Sequence, residues 1–110
     1  MADRLTVDRL HHIALTVGDI PAALAWYREH FSVSTVYADH TWALLQLANI
    51  QLALVLPGMH PPHIAIERTN AENYGELVSH RDGTASLYIP DPWGNTLEIL
   101  KSADGTAEDV

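Results

Sequence analysis

Residues 10–17 (LHHIALTV) alternate with period two: Ile13, Leu15 and Val17 fall on one face, and His12, Ala14 and Thr16 on the other, which predicts a strand with two unlike faces. Gly18-Asp19-Ile20-Pro21 then reads as a helix start, with Asp19 as its cap and Pro21 in the first turn. The predicted helix covers residues 22–31 and places Leu24, Tyr27 and Phe31 on one stripe; Trp26 and Tyr27 are expected to pack it onto a sheet. Three β-rich runs follow at 33–38, 41–47 and 50–56, broken by short polar turns at Asp39-His40 and Ala48-Asn49. The stretch 57–62 (PGMHPP) is a turn or linker.

After it the pattern begins again. His63-Ile64-Ala65-Ile66 repeats His12-Ile13-Ala14-Leu15 at an offset of 51 residues. Asn70, the counterpart of Asp19, caps a second predicted helix that runs to about His80 on a stripe of Tyr74, Leu77 and Val78. Strands are expected at 85–89 and 96–100, joined by the turn Pro90-Asp91-Pro92-Trp93-Gly94-Asn95. The chain thus divides into an N-terminal extension (1–8), a first module (9–57), a linker (58–62), a second and shortened module (63–101) that reads as one strand short, and a flexible polar tail (102–110). A repeated strand-led unit predicts two equivalents packed around a shared cleft.

Composition narrows the chemistry. Six Lys and Arg against fourteen Asp and Glu give a net charge of −8, which disfavours nucleic acid and suits a small-molecule ligand, a cationic one included. With no Cys there is no disulfide framework, thiolate nucleophile or thiolate metal site. The N-terminal sequence does not read as a signal peptide and the longest apolar stretch, 52–56, is too short to cross a bilayer, so a cytoplasmic protein without membrane association is expected. At 110 residues the core is marginal, and a homodimer is expected to supplement it.

Seven histidines stand against that plain background. The alternation puts His12 on the face of Ala14 and Thr16, His63 on that of Ala65 and Glu67, and Glu98 on that of Thr96 and Leu100. If these faces line a common cleft, His12, His63 and Glu98 converge as two imidazoles and one carboxylate. That facial set suits Fe(II), leaves positions open for substrate, and also holds Mn, Ni or Zn. The competing reading of any one of them is a hydrogen-bonded strand residue. His40 and His60 read as turn and linker surface, while Trp42 and Trp93 are candidates for the rim of an apolar cleft.

The strand HIALTVGDI from His12, its repeat at His63, and Asp91-Pro92-Trp93-Gly94-Asn95-Thr96-Leu97-Glu98 resemble the vicinal oxygen chelate superfamily over about residues 9–101. That group includes glyoxalase I, extradiol dioxygenases, fosfomycin and bleomycin resistance proteins, and methylmalonyl-CoA epimerase. The resemblance implies an α+β fold of two paired βαβββ modules, here with the second shortened, whose curved sheet encloses a metal or ligand cleft. It also implies that His12, His63 and Glu98 are metal ligands. Glyoxalase-like members add a Glu on the last strand of the first module; that position falls on Ala53 here, with Gln51 one pair away as a supplementary candidate.

Val78-Ser79-His80, then Leu87-Tyr88-Ile89-Pro90-Asp91-Pro92-Trp93-Gly94, then Glu98 is similar in order and spacing to the extradiol dioxygenase signature. The resemblance implies catalytic roles for His80 and Tyr88 beside the metal, as proton acceptor and hydrogen-bond donor. The alternatives are a structural turn around Tyr88 and a helix C-cap at His80. Three functions follow: a metal-dependent extradiol dioxygenase with Fe(II) favoured, a glyoxalase-like lyase, isomerase or transferase, and a bleomycin-resistance-like protein that binds a drug or metabolite.

Overall fold

The computed structural model describes residues 7–80 and 83–101; the expected tail at 102–110 and most of the N-terminal extension lie outside them. The elements are β1 (Arg9–Thr16), α1 (Ile20–His30), β2 (Ser34–Ala38), β3 (Trp42–Gln46), β4 (Gln51–Val55), β5 (His63–Glu67), a 3-10 turn (Ala71–Tyr74), β6 (Val78–Ser79), β7 (Ala85–Pro90) and β8 (Thr96–Lys101). The fold is mixed α+β, and its strands run in the order β2-β3-β4-β1 in the first half of the chain and β5-β8-β7-β6 in the second. No helix among the described residues is long and apolar enough to cross a membrane. Two units divide the chain: His12–His63, and the residues on either side of it.

In the first unit β2, β3 and β4 form an antiparallel meander and β1 lies parallel to β4, pairing His12 with Gln51, Ala14 with Ala53 and Thr16 with Val55. Helix α1 packs on β3 and β4 through Ile20, Ala23, Leu24 and Tyr27, which recur at i, i+3, i+4 and i+7. Beneath them Ala43, Leu45 and Leu54 are fully buried. Each of the two leucines contributes on the order of 1.5–3 kcal/mol of burial. Phe31 and Trp26 fall off the stripe, and both are about half exposed, contrary to the expectation that they pack the sheet. Trp26 instead stacks on His30 at 4.1 Å between ring centroids. Asp19 does occupy the N-cap, but through its carbonyl, which accepts from Ala23 N–H at 3.0 Å; its side chain makes no cap bond. The expected turn at Asp39-His40 is held by the Asp39 carboxylate, which accepts from the backbone N–H groups of Thr41 and Trp42 and from the Tyr37 hydroxyl.

The second unit departs further from expectation. The predicted helix from Asn70 to His80 is a single 3-10 turn followed by extended chain, and β6 is the strand that seemed missing. Gly75 explains the interruption. Its φ of +149° is closed to other residues, and a Cβ there would meet Leu87 Cδ1 at 2.8 Å. One turn before such a stop is too short to sustain an α-helix. Asn70 does not cap with its side chain; its Oδ1 accepts from Arg68 Nε at 2.9 Å. The module is therefore shortened in its helix and not in its strands. Strands β7 and β8 form a hairpin that sets Tyr88 opposite Glu98 and Ser86 opposite Leu100. Its turn is closed by Asp91, whose carboxylate accepts from the N–H groups of Trp93 and Asn95, each at 2.9 Å, and from Asn95 Nδ2. Those bonds, that of the Asn95 side chain foremost, hold Asp91 below its ordinary pKa.

Candidate metal centre

His12 and His63 belong to one unit, and the site builds from them. Pleating and register put His12 on the face shared by Ala14, Gln51, Ala53, Trp42, Leu44 and Gln46, opposite the face that α1 covers. His63, the first residue of β5, is 8% exposed, and its Nδ1 lies 2.7 Å from the carbonyl of Pro61. A carbonyl only accepts, so Nδ1 carries the proton and the lone pair of a neutral His63 sits on Nε2. That Nε2 is 3.4 Å from His12 Nε2, with the two rings edge to face at 76°. The Pro61 carbonyl thus selects the tautomer and ring orientation that a metal ligand requires.

Glu98 belongs to the other unit. It is 6% exposed, and its Oε2 accepts from Ser86 Oγ at 2.6 Å. Ser86 is itself buried and lies 2.8 Å from His80 Nε2. The hydroxyl has one proton and gives it to the carboxylate, so His80 donates to Ser86 through Nε2–H. His80, at the surface end of this chain of bonds, is exposed. Tyr88 faces Glu98 across the hairpin, and its phenol is pushed up to about 12 by burial and, secondarily, by the Glu98 charge. The phenol therefore stays protonated at neutral pH.

His12, His63 and Glu98 each offer a ligand atom, and these atoms lie within 4.8 Å of one another. A borderline or hard divalent ion fits two neutral imidazoles and a carboxylate. His11, the neighbour of His12 on β1, is not in the group. Ala53, at the position of the additional Glu in glyoxalase-like members, is buried on the His12 face, and Gln51 beside His12 donates its Nε2 to Gln46 Oε1 at 2.9 Å. His40 and His60 are exposed in turn and linker. Trp42 shares the His12 face and stacks on Tyr37 at 4.8 Å, whereas Trp93 stands 84% exposed on the β7–β8 turn.

Two residues went unread in the sequence. Ser86 had a signal, since it lies two positions before Tyr88 on the same strand face. Pro61 had none, because it acts through its backbone oxygen.

Residues 9–81 match the model of the Glyoxalase/Bleomycin resistance protein/Dioxygenase superfamily, more than half of the chain. The chain belongs to that superfamily. Solved structures share the superfamily fold at low identity. A superfamily member from Vibrio splendidus 12B01 aligns with a TM-score of 0.65 at 12% identity, covering 87% of this chain and 100% of that one. Methylmalonyl-CoA epimerase from Mycobacterium tuberculosis aligns at 0.64 and 18%, covering 86% and 87%. The Mn(II)-bound glyoxalase from Novosphingobium aromaticivorans aligns at 0.66 and 15%, covering 88% of this chain and 40% of that one. No curated protein sequence matches.

Proposed function

We propose that this superfamily member is a divalent-metal-dependent enzyme, with His12, His63 and Glu98 as ligands, that acts on a small substrate through two adjacent oxygens in the manner of an extradiol dioxygenase. The observation that supports the metal reading is the Pro61 bond to His63 Nδ1, which leaves the acceptor nitrogen Nε2 facing His12. The reaction class rests on which acids and bases accompany the ligands. Epimerisation or glyoxalase-type isomerisation needs a base to take a carbon-bound proton. The position where a second carboxylate would stand is Ala53, and its methyl group cannot serve. Tyr88, by contrast, is a protonated donor directly opposite Glu98, suited to hydrogen-bond a developing oxyanion on the substrate.

Fe(II) held by His12, His63 and Glu98 would supply Lewis acidity that makes a catechol easier to deprotonate and would be the redox partner for O2. The chain supplies the rest: the imidazoles and Glu98 hold the ion, Tyr88 donates at the substrate oxygen, and Trp42 and Leu44 offer apolar surface on the His12 face. Oxygen uptake by Fe(II)-reconstituted protein with a panel of catechols tests this reading. Consumption of one O2 per ring opened is expected, lost in Glu98→Gln and lowered on the order of 10–1000-fold in Tyr88→Phe. Turnover of a substrate without oxygen uptake, or full activity in the Glu98 variant, contradicts it.

A further inference from the structure

The bond sequence His80 Nε2–H to Ser86 Oγ–H to Glu98 Oε2 gives His80 a place that the spacing of the signature does not. His80 is exposed and Glu98 buried, so the imidazole reaches the carboxylate only through the intervening hydroxyl. We propose that Ser86 and His80 are positioning residues for Glu98: together they commit Oε2 to the relay and fix the rotation of the carboxylate, so that its other oxygen is presented to a metal ion in one orientation. This inference rests on the metal reading above and deepens it.

Three features make the relay directional. An ionised carboxylate only accepts, so the single Ser86 proton is oriented toward Oε2. With that proton committed, the remaining Ser86 lone pair accepts from His80, which polarises the hydroxyl and strengthens its bond to the carboxylate. The 2.6 Å separation of Ser86 Oγ and Glu98 Oε2 falls in the range of charge-assisted bonds. Strand geometry supports the arrangement from below. Ser86 and Glu98 lie diagonally across the β7–β8 hairpin on the face that also carries Tyr88. His80 is tied to the start of β7 by its N–H, which donates to Thr84 O at 2.8 Å, and by its carbonyl, which accepts from Gly83 N–H at 3.1 Å.

Outer partners of metal ligands govern affinity by about 10–100-fold. Titration of the metal-free protein with Mn(II), read as the EPR signal of the free ion, tests the relay. Ser86→Ala and His80→Ala are expected to weaken Mn(II) binding by about 10-fold or more. Ser86→Thr keeps the hydroxyl and His80→Gln keeps a donor at the ε position, so each is expected to recover most of the affinity. His80 is exposed, so its variants keep the test intact should Ser86→Ala fail to fold. Wild-type affinity in both alanine variants overturns the inference, as does a loss that threonine and glutamine do not recover. Glu98→Gln separates the two levels. If it binds Mn(II) like the wild type, the metal reading itself has failed; if it loses the ion while the alanine variants keep it, only the relay has.

Discussion

Single atoms decide the chemistry of this chain. The carbonyl of Pro61 sets the His63 tautomer, and the hydroxyl of Ser86 ties down one Glu98 oxygen, so both side chains are oriented by neighbours outside the His12, His63 and Glu98 group. Tyr88 provides a test at the same scale. Its pKa rises from 10.0 to about 12 in the folded chain, first through burial and then through the Glu98 charge. A raised phenol pKa means that the unfolded chain releases its proton first. The corresponding stability is complete below pH 10 and is lost as pH climbs from about 10 to about 12. Denaturant titrations of the metal-free protein across that window are expected to show declining stability, with a shallower decline in Tyr88→Phe. Equal slopes in the two proteins would remove the buried-phenol account.

At the scale of elements, what the sequence disclosed depended on whether a local pattern or a tertiary contact was in control. Strands β1 and β5 were legible from the period-two alternation of HIAL and HIAI, although the buried residues are Ala14, His63 and Ala65 and Leu15 is exposed. The same alternation assigned His12, His63 and Glu98 each to one strand face. Helix α1 was legible apart from Trp26 and Phe31, whose aromatic character misled; the buried stripe is Ile20, Ala23, Leu24 and Tyr27. The second helix differs from expectation because the run at 70–80 has helical spacing, yet Gly75 adopts a φ of +149°, where a Cβ would also press on the Leu87 side chain. The relay was hidden for a similar reason: the hairpin register that pairs Tyr88 with Glu98 is not contained in either strand alone. Gly75→Ala checks the explanation. It is expected to destabilise the protein by about 1–3 kcal/mol, through a strained φ and the clash with Leu87, and thermal unfolding measures it. A neutral or stabilising effect would mean that the turn is not held by Gly75.

For the whole molecule, acidity and metal binding set the expectations. The net charge of −8 leaves the surface poorly suited to a phosphate backbone and favours attraction of cations, a divalent ion among them. The outermost strands are poor pairing edges: β6 has two residues, and β2 carries a register shift between Thr35 and Tyr37. We propose that a homodimer forms through faces instead, where Leu15, Trp26 and Phe31 remain exposed. Sedimentation velocity at micromolar concentration is expected to show that dimer, and a monomer throughout would contradict it. The central claim is that His12, His63 and Glu98 hold one divalent ion, and metal content of anaerobically purified, Fe(II)-reconstituted protein tests it most directly. About one equivalent of iron per chain is the predicted result, lost in His12→Ala and in Glu98→Gln; no retained metal in the wild type, or equal metal in the variants, would contradict it.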